Sequence, residues 1–189
     1  MIQFNSLPVD APLRITSKFG PRNTGIEGAS TFHKGIDLGR DKTKPETNVL
    51  AVASGIVFGN YWNKYRGWVV VIQHNGFKTL YQHLKAKSTL AEGTYVKCGQ
   101  VLGVMGNSSD KSVLNTAVHL HFELIENGQN IDPEKYLKNI VGVVDVTLEE
   151  AKSIIKSKAG LNDESIAYLA NYKYGSSLII KLAEAMKGA

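Results

Sequence analysis

Apolar and polar positions alternate over much of the chain up to about Asp132. The stretches "VLAVASGIVFGNYW" and "GWVVVIQHNGFKTLYQHL" are rich in Val, Ile, Tyr and Trp and are punctuated by Gly and Asn, which predicts β-strands. Within the second, Asn75-Gly76 in "HNGFK" predicts a hairpin with a type I′ turn. "GTYVKCGQVLGVMGNS" continues the run of short strands and glycine turns, and "AVHLHFELIENG" adds a further strand. The expected result is a mainly β fold built from antiparallel sheet, closed by a short helical turn at "IDPEKYL".

The period changes after Val146. Thr147 and Glu150 have the spacing of a capping box, and Leu148, Ala151, Ile154 and Ile155 form a helical stripe. Gly160 is placed to stop that helix. "NDESIAYLANYKYG" and "SSLIIKLAEAMKG" predict two more short helices. The organisation read from the chain is a β domain over 1–140, a linker over 141–146 and a small α-helical module over 147–189. About forty residues make a marginal core, so this module is expected to lean on the main domain or on a protein partner, for docking or oligomerisation. A DNA-binding helix-turn-helix is disfavoured, because acidic and basic residues alternate there without a strong basic cluster.

Composition narrows the chemistry. The 189 residues are 43% hydrophobic and 21% charged, which suits a globular chain with a core. The net charge of +5 is compatible with an anionic partner or with a merely solvated surface. Cys98 is the only cysteine, so neither an internal disulfide nor a cysteine-rich zinc finger can form, and it reads as a structural thiol. "MIQFNSLPVDAPL" lacks a basic start followed by an apolar run, and no stretch is long and apolar enough to span a membrane.

Two histidines stand one residue apart in "TAVHLHFELIENG". In a strand, Val118, Leu120, Phe122 and Leu124 share one face, and His119, His121 and Glu123 share the other. An isolated H-x-H is common on strand surfaces, but other segments supply partners. In "STFHKGIDLGRD", strand spacing aligns His33, Gly35 and Asp37 opposite Phe32, Ile36 and Leu38, with Lys34 the exception on the apolar side. Gly35 leaves room between the two side chains for a third group. "TLYQHLK" places His83 on the same strand face as Tyr81. His74 flanks a turn and is given no chemical role. Four of the five histidines and one carboxylate thus lie on polar strand faces. That set can furnish a catalytic zinc with three ligands of the His/His/Asp type and an open water position, leaving two histidines for acid–base or electrostatic work. H-E-x-x-H is absent, and one cysteine cannot complete the P-C-x-x-C of the zinc deaminases.

With these motifs in this order, the chain resembles the lysostaphin-type (LytM-type) zinc metallopeptidases, which cut peptide bonds in bacterial peptidoglycan. The resemblance runs from about Ile15 to Tyr136. "ITSKFGPR" is similar to the family's opening strand, "FHKGIDLG" to its H-x-x-x-D motif, "LYQHL" to its central histidine and "VHLHFEL" to its closing H-x-H, with "VLAVASGIV" and "VKCGQVLGVMGNS" matching in tone and order. The resemblance implies a mostly antiparallel β domain with a groove, and one Zn2+ per chain held by His33, Asp37 and His121, with His83 and His119 flanking the bound water. It also assigns the metal to the second histidine of the pair, which spacing alone leaves open. Two departures stand at the groove rim: Thr116-Ala117-Val118 replaces the common Thr-Gly-Pro, and the loop "GNSSDKSVLNTAV" is long.

The function so implied is hydrolysis of peptidoglycan peptide stems or cross-bridges, with no nucleic acid as partner. The alternative is a non-catalytic LytM-like scaffold or activator in a cell-envelope or virion assembly. A substrate in the cell wall or periplasm, combined with no visible export signal, has two readings: a domain or mature fragment of a longer exported chain, or, preferred, a phage or prophage endolysin or tail-associated protein, carried on the virion or released at lysis.

Overall fold

The structure is a computed structural model and describes residues 2–22, 31–112, 115–140, 148–170 and 179. The chain divides into two units, Met1–Ile140 and Val141–Ala189.

The first unit is built from short antiparallel strands. They are β1 (Ile15–Ser17), β2 (Gly20–Pro21), β3 (Phe32–His33), β4 (Ile36–Gly39), β5 (Asn48–Leu50), β6 (Gly55–Asn63), β7 (Gly67–Gln73) and β8 (Phe77–Leu84), followed by β9 (Tyr95–Val96), β10 (Val101–Val104), β11 (His119–Glu126) and β12 (Gln129–Ile131). The main sheet has the order β1–β4–β11–β8–β7–β6–β9, with β12 paired to the second half of β11. β5 and β10 form one two-stranded ribbon, and β2 and β3 another.

The alternation in the sequence decides which face of the main sheet is dry. Leu120, Phe122 and Leu124 of β11, Leu38 of β4, Tyr81 and Leu84 of β8 and Ile72 of β7 are fully buried in one cluster. That cluster is completed by Phe4 and Val9 from the first residues, by Val49 and Leu102 of the ribbon, and by Leu137 of helix α1 (Glu134–Ile140). The opposite face of β11 carries His119, His121 and Glu123. Farther along that face, Val69, Val71 and Leu80 form a smaller buried cluster joined by Ile125. A continuous core on one face leaves the other free to hold polar groups in fixed register.

Two local expectations are corrected. Gly76 has positive φ (85°) but Asn75 does not, so the β7–β8 turn is not type I′, which needs positive φ at both central residues. That geometry is found at Asn127-Gly128 (51° and 78°), between β11 and β12. The "FHKGIDLG" motif is two strands, not one. Lys34-Gly35 is a bend, β3 pairs with β2, and β4 pairs with β1 and β11. The bend puts Phe32 and Lys34 at the surface, which removes the anomaly of a lysine on an apolar face.

In the second unit, helices α2 (Leu148–Ala159) and α3 (Asp163–Ala170) match the first two predicted there. Gly160 follows α2 with φ 65°, as a helix stop requires. The Asn162 side chain caps α3 by accepting from the Ser165 N–H at 2.8 Å. The linker 141–146, the capping residue Thr147 and nearly all of the third predicted helix lie outside the described residues. Among the described residues no helix is long and apolar enough to cross a membrane.

Candidate metal centre

His121 is the register mark of the site. On β11 it stands opposite Asp37 of β4 on one side and Gln82 of β8 on the other. Cross-strand partners point to the same face, so the two ladders bring Asp37, His121 and Gln82 together. His33 arrives from outside the main sheet, on β3. Gly35 permits this approach, since a Cβ there would lie 2.2 Å from the Phe122 carbonyl oxygen. The third group for which Gly35 leaves room is therefore the backbone of β11 itself.

His33, Asp37 and His121 form the one group of metal-ligating side chains found among the described residues. His33 Nε2 is 3.0 Å from His121 Nδ1, and Asp37 Oδ1 is 3.2 Å from the former and 2.9 Å from the latter. The other nitrogen of each ring is already committed. His33 Nδ1 donates to the Lys18 carbonyl at 2.7 Å, and His121 Nε2 donates to Glu123 Oε1 at 3.2 Å. An imidazole whose one N–H is spent on an oxygen outside the site turns a lone pair inward. Two imidazole lone pairs and a carboxylate oxygen, all about 3 Å apart, repel one another unless a cation lies among them. A His/His/Asp donor set so arranged fits zinc, whose ligands are imidazole nitrogen and carboxylate oxygen.

The electrostatics agree. Burial pushes the Asp37 carboxyl up, but its bonds to His121 and His33 outweigh this and hold it well below the usual carboxylate range. Burial alone would lower the His121 imidazole, yet Asp37 and Glu123 reverse the effect and raise it. The field at His121 Nδ1 thus favours positive charge. Arg22 Nη1 lies 4.0 Å from the other oxygen of Asp37.

His83 and His119 stand side by side next to this cluster, with ring centroids 4.7 Å apart. His119 Nδ1 donates to the Ala117 carbonyl at 2.7 Å, and its Nε2 lies 3.7 Å from Asp37 Oδ1. His83 Nδ1 donates to the Ser108 carbonyl at 2.9 Å. Each therefore presents a bare Nε2. Burial lowers the His83 imidazole to about 4, which keeps it neutral near pH 7.

His83 reaches this position against the strand pattern. Tyr81 points into the core and bonds the Val52 N–H, so the two residues do not share a face. Between the pairs Trp68–Leu84 and Val70–Tyr81, two steps on β7 face three on β8. The extra residue is a bulge, and His83 takes φ 64° within it, a conformation that β-branched and bulky residues avoid. The twist turns its ring from the core face to the site face. The Arg66 carbonyl fixes the bulge by accepting the His83 N–H at 2.8 Å. The long loop after Gly106 supplies the outer anchor. Ser108 packs so tightly on Gly67 that a Cβ there would lie 2.1 Å from the Ser108 carbonyl oxygen.

Sequence reasoning left Glu123 without a role. It is 3% exposed and takes hydrogen bonds from His121, Gln82 and Asn130. Burial raises its carboxyl, but His121, Arg66 and Asn130 prevail and bring it down to about 2. Its place on the polar face was legible as the third member of H-x-H-x-E. His74 is buried outside the site, where it links the Ser54 carbonyl to Thr79 and through it to Tyr81. Cys98 is half-buried with its thiol on the Val52 carbonyl, and burial pushes that thiol up, consistent with a structural role.

Known proteins resemble the chain in sequence and in fold. The chain is 34% identical to the peptidoglycan DD-endopeptidase ShyA of Vibrio cholerae over 134 residues, which are 70% of this chain and 29% of the relative. It thus spans less than a third of that relative's length. The solved catalytic domain of lysostaphin from Staphylococcus simulans superposes with a TM-score of 0.56 at 30% identity, covering 67% of this chain and 92% of that one. The SpoIIQ–SpoIIIAH pore-forming complex contributes a further similar structure, with a TM-score of 0.58, 25% identity and coverage of 76% and 99%. Residues 31–133, more than half of the chain and the span that holds all five candidate site residues, match peptidase family M23, and the protein belongs to that family of zinc metallopeptidases.

Proposed function

We propose that the chain is a zinc-dependent endopeptidase that hydrolyses peptide bonds in bacterial peptidoglycan. The carrying observation is the convergence of three lone pairs, from His33 Nε2, His121 Nδ1 and Asp37 Oδ1, beside two histidines that each present a free Nε2. In this reading His33, Asp37 and His121 hold one Zn2+ per chain. When bound, zinc lowers the pKa of water towards neutrality and polarises a carbonyl oxygen. His83 and His119 do the proton work. A neutral imidazole with Nδ1–H tied to a carbonyl accepts a proton at Nε2 from the attacking water, and the imidazolium so formed returns it to the leaving amine. The Nε2–H of an imidazolium also donates to negative charge developing on the scissile carbonyl oxygen.

Purified peptidoglycan incubated with the protein, with and without a chelator, tests the reading. Release of peptide fragments that stops on chelation supports it, and undiminished release by His121→Ala overturns the ligand assignment. Mass spectra of the fragments identify the bond cut.

The substrate places the action in the cell wall or periplasm. A phage or prophage wall-degrading role is part of the same proposal, and detection of the protein in purified virions or in a lysis-stage culture tests it. Residues 147–189 serve as a docking module in this reading. The similarity to a component of a pore-forming complex favours a second reading, a non-catalytic scaffold, which predicts a folded protein that takes up no zinc.

A further inference from the structure

We propose that Glu123 is a positioning residue that commits His121 to Nδ1 as its metal-facing atom, and that Gln82, Asn130 and Arg66 hold the Glu123 carboxylate in place to do so. The inference rests on the zinc reading above. His33 and His121 present different ring nitrogens to the same point, Nε2 from one and Nδ1 from the other. The His33 tautomer is set by a backbone carbonyl, that of Lys18. The His121 tautomer depends on a side chain.

The His121 ring lies between two carboxylates, with Asp37 Oδ1 2.9 Å from Nδ1 and Glu123 Oε1 3.2 Å from Nε2. A neutral ring carries one proton. Placed on Nδ1, it would block the atom that faces His33 and Asp37, and would set a bare Nε2 against a carboxylate that has no proton to give. Placed on Nε2, it satisfies Glu123 and leaves the Nδ1 lone pair facing His33 Nε2 and Asp37 Oδ1, an arrangement that a cation among the three would complete. Glu123 thus selects the tautomer.

The carboxylate is held from three separate places in the fold. Gln82 Nε2, on β8 directly across from His121, donates to Oε1 at 2.7 Å. Asn130 Nδ2, on β12, donates to Oε2 at 2.8 Å and to the Lys34 carbonyl at 3.0 Å, which ties the carboxylate to the bend between the two metal-ligand strands β3 and β4. Arg66 Nη2, before β7, stands 3.9 Å from Oε1, and its own carbonyl accepts the His83 N–H. Two amide donors and the Arg66 charge hold the carboxylate facing His121.

The test uses the whole chain and two readouts that do not involve substrate. Long-range 1H–15N NMR of the histidine rings, recorded on the metal-free protein at a pH alkaline enough to make the His121 ring neutral, reports which nitrogen of His121 carries the proton. Competition with a chromogenic chelator gives the zinc affinity. The wild type is expected to show the Nε2–H tautomer. Glu123→Gln is expected to show a mixture and to bind zinc about 10–100-fold more weakly. Asn130→Ala and Arg66→Met alter partly exposed residues and cover the case in which Glu123→Gln fails to fold. Both are expected to weaken zinc in the same direction by a smaller factor. A Glu123 of merely structural importance gives the opposite result, a lowered melting temperature with tautomer and zinc affinity unchanged, and that overturns the proposal. Wild-type protein that binds no zinc overturns this proposal and the peptidase reading together, whereas zinc binding indifferent to all three variants overturns this proposal alone.

Discussion

His83 and His119 present the same atom to the same space by different means. His119 points there because strand alternation puts it beside His121, and that was legible from two letters of sequence. His83 points there because its backbone departs from the strand at φ 64°. No periodicity encodes that departure, so the sequence supplied the residue but put it on the wrong face. Two experiments follow at this scale. Replacing either histidine by alanine is expected to lower kcat by about 10²–10⁴ while zinc content, measured by elemental analysis, stays at the wild-type level. His83→Gly is expected to be more stable than His83→Ala by about 1 kcal/mol in denaturant titrations, because only glycine adopts positive φ without penalty. Equal stability of the two variants would count against the bulged backbone. Glu123 was visible as a polar position, but its partners come from β8, β12 and the residue before β7, and only the fold brings them together.

Among elements, strand identity was read well and strand connection less so. The apolar faces of β7, β8 and β11 follow from alternation, because burial on one side imposes it. The bend at Lys34-Gly35 and the switch of turn type at Asn75-Gly76 depend on how a second strand packs against the first. Gly35→Ala tests the closeness of that packing. Its Cβ would meet the Phe122 carbonyl, a backbone atom that cannot swing aside. The variant is expected to lose about 1–3 kcal/mol of stability and to bind zinc more weakly, since His33 and β11 are pushed apart. The β7–β8 hairpin carries a pH dependence of its own. Burial lowers the His74 imidazole below its ordinary value of 6.5, so the unfolded chain takes a proton that the folded chain refuses. Its neutral form contributes stability that is present above pH 6.5 and is lost as the pH falls below that value. Urea midpoints measured at pH 7.5 and below pH 6 should therefore fall less in His74→Gln than in wild type.

For the whole molecule, the division at residue 140 matches the placement of the core. Among the described residues, every member of the main hydrophobic cluster lies between Ile2 and Ile140, and so does every candidate site residue. Residues 1–146 are accordingly expected to fold, to bind zinc and to cleave soluble cross-linked peptides at near wild-type rates. If 147–189 is a docking module, loss of that segment should reduce sedimentation with intact cell walls. A truncated chain that no longer binds zinc would show instead that the helical module supports the metal centre. The helical periodicity after Val146 announced a separate unit, but a period reports only which residues share a face, not what covers that face.

The extra residue in β8 carries a consequence for sequence change. Because two steps of β7 are matched to three of β8, the strand is out of phase with its neighbour by one position on either side of His83. Substitutions in this stretch exchange one side chain for another and leave the phase intact. A deletion of one residue between Tyr81 and Leu84 does something different in kind. Loss of Gln82 would restore an unbroken ladder and leave the histidine one step from Tyr81, on the opposite face by plain alternation. It would also remove the residue that pairs with His121 and donates to Glu123. The extra residue is what lets two successive side chains, Gln82 and His83, stand on the site side between the core residues Tyr81 and Leu84. Length, more than identity, is what the stretch must preserve.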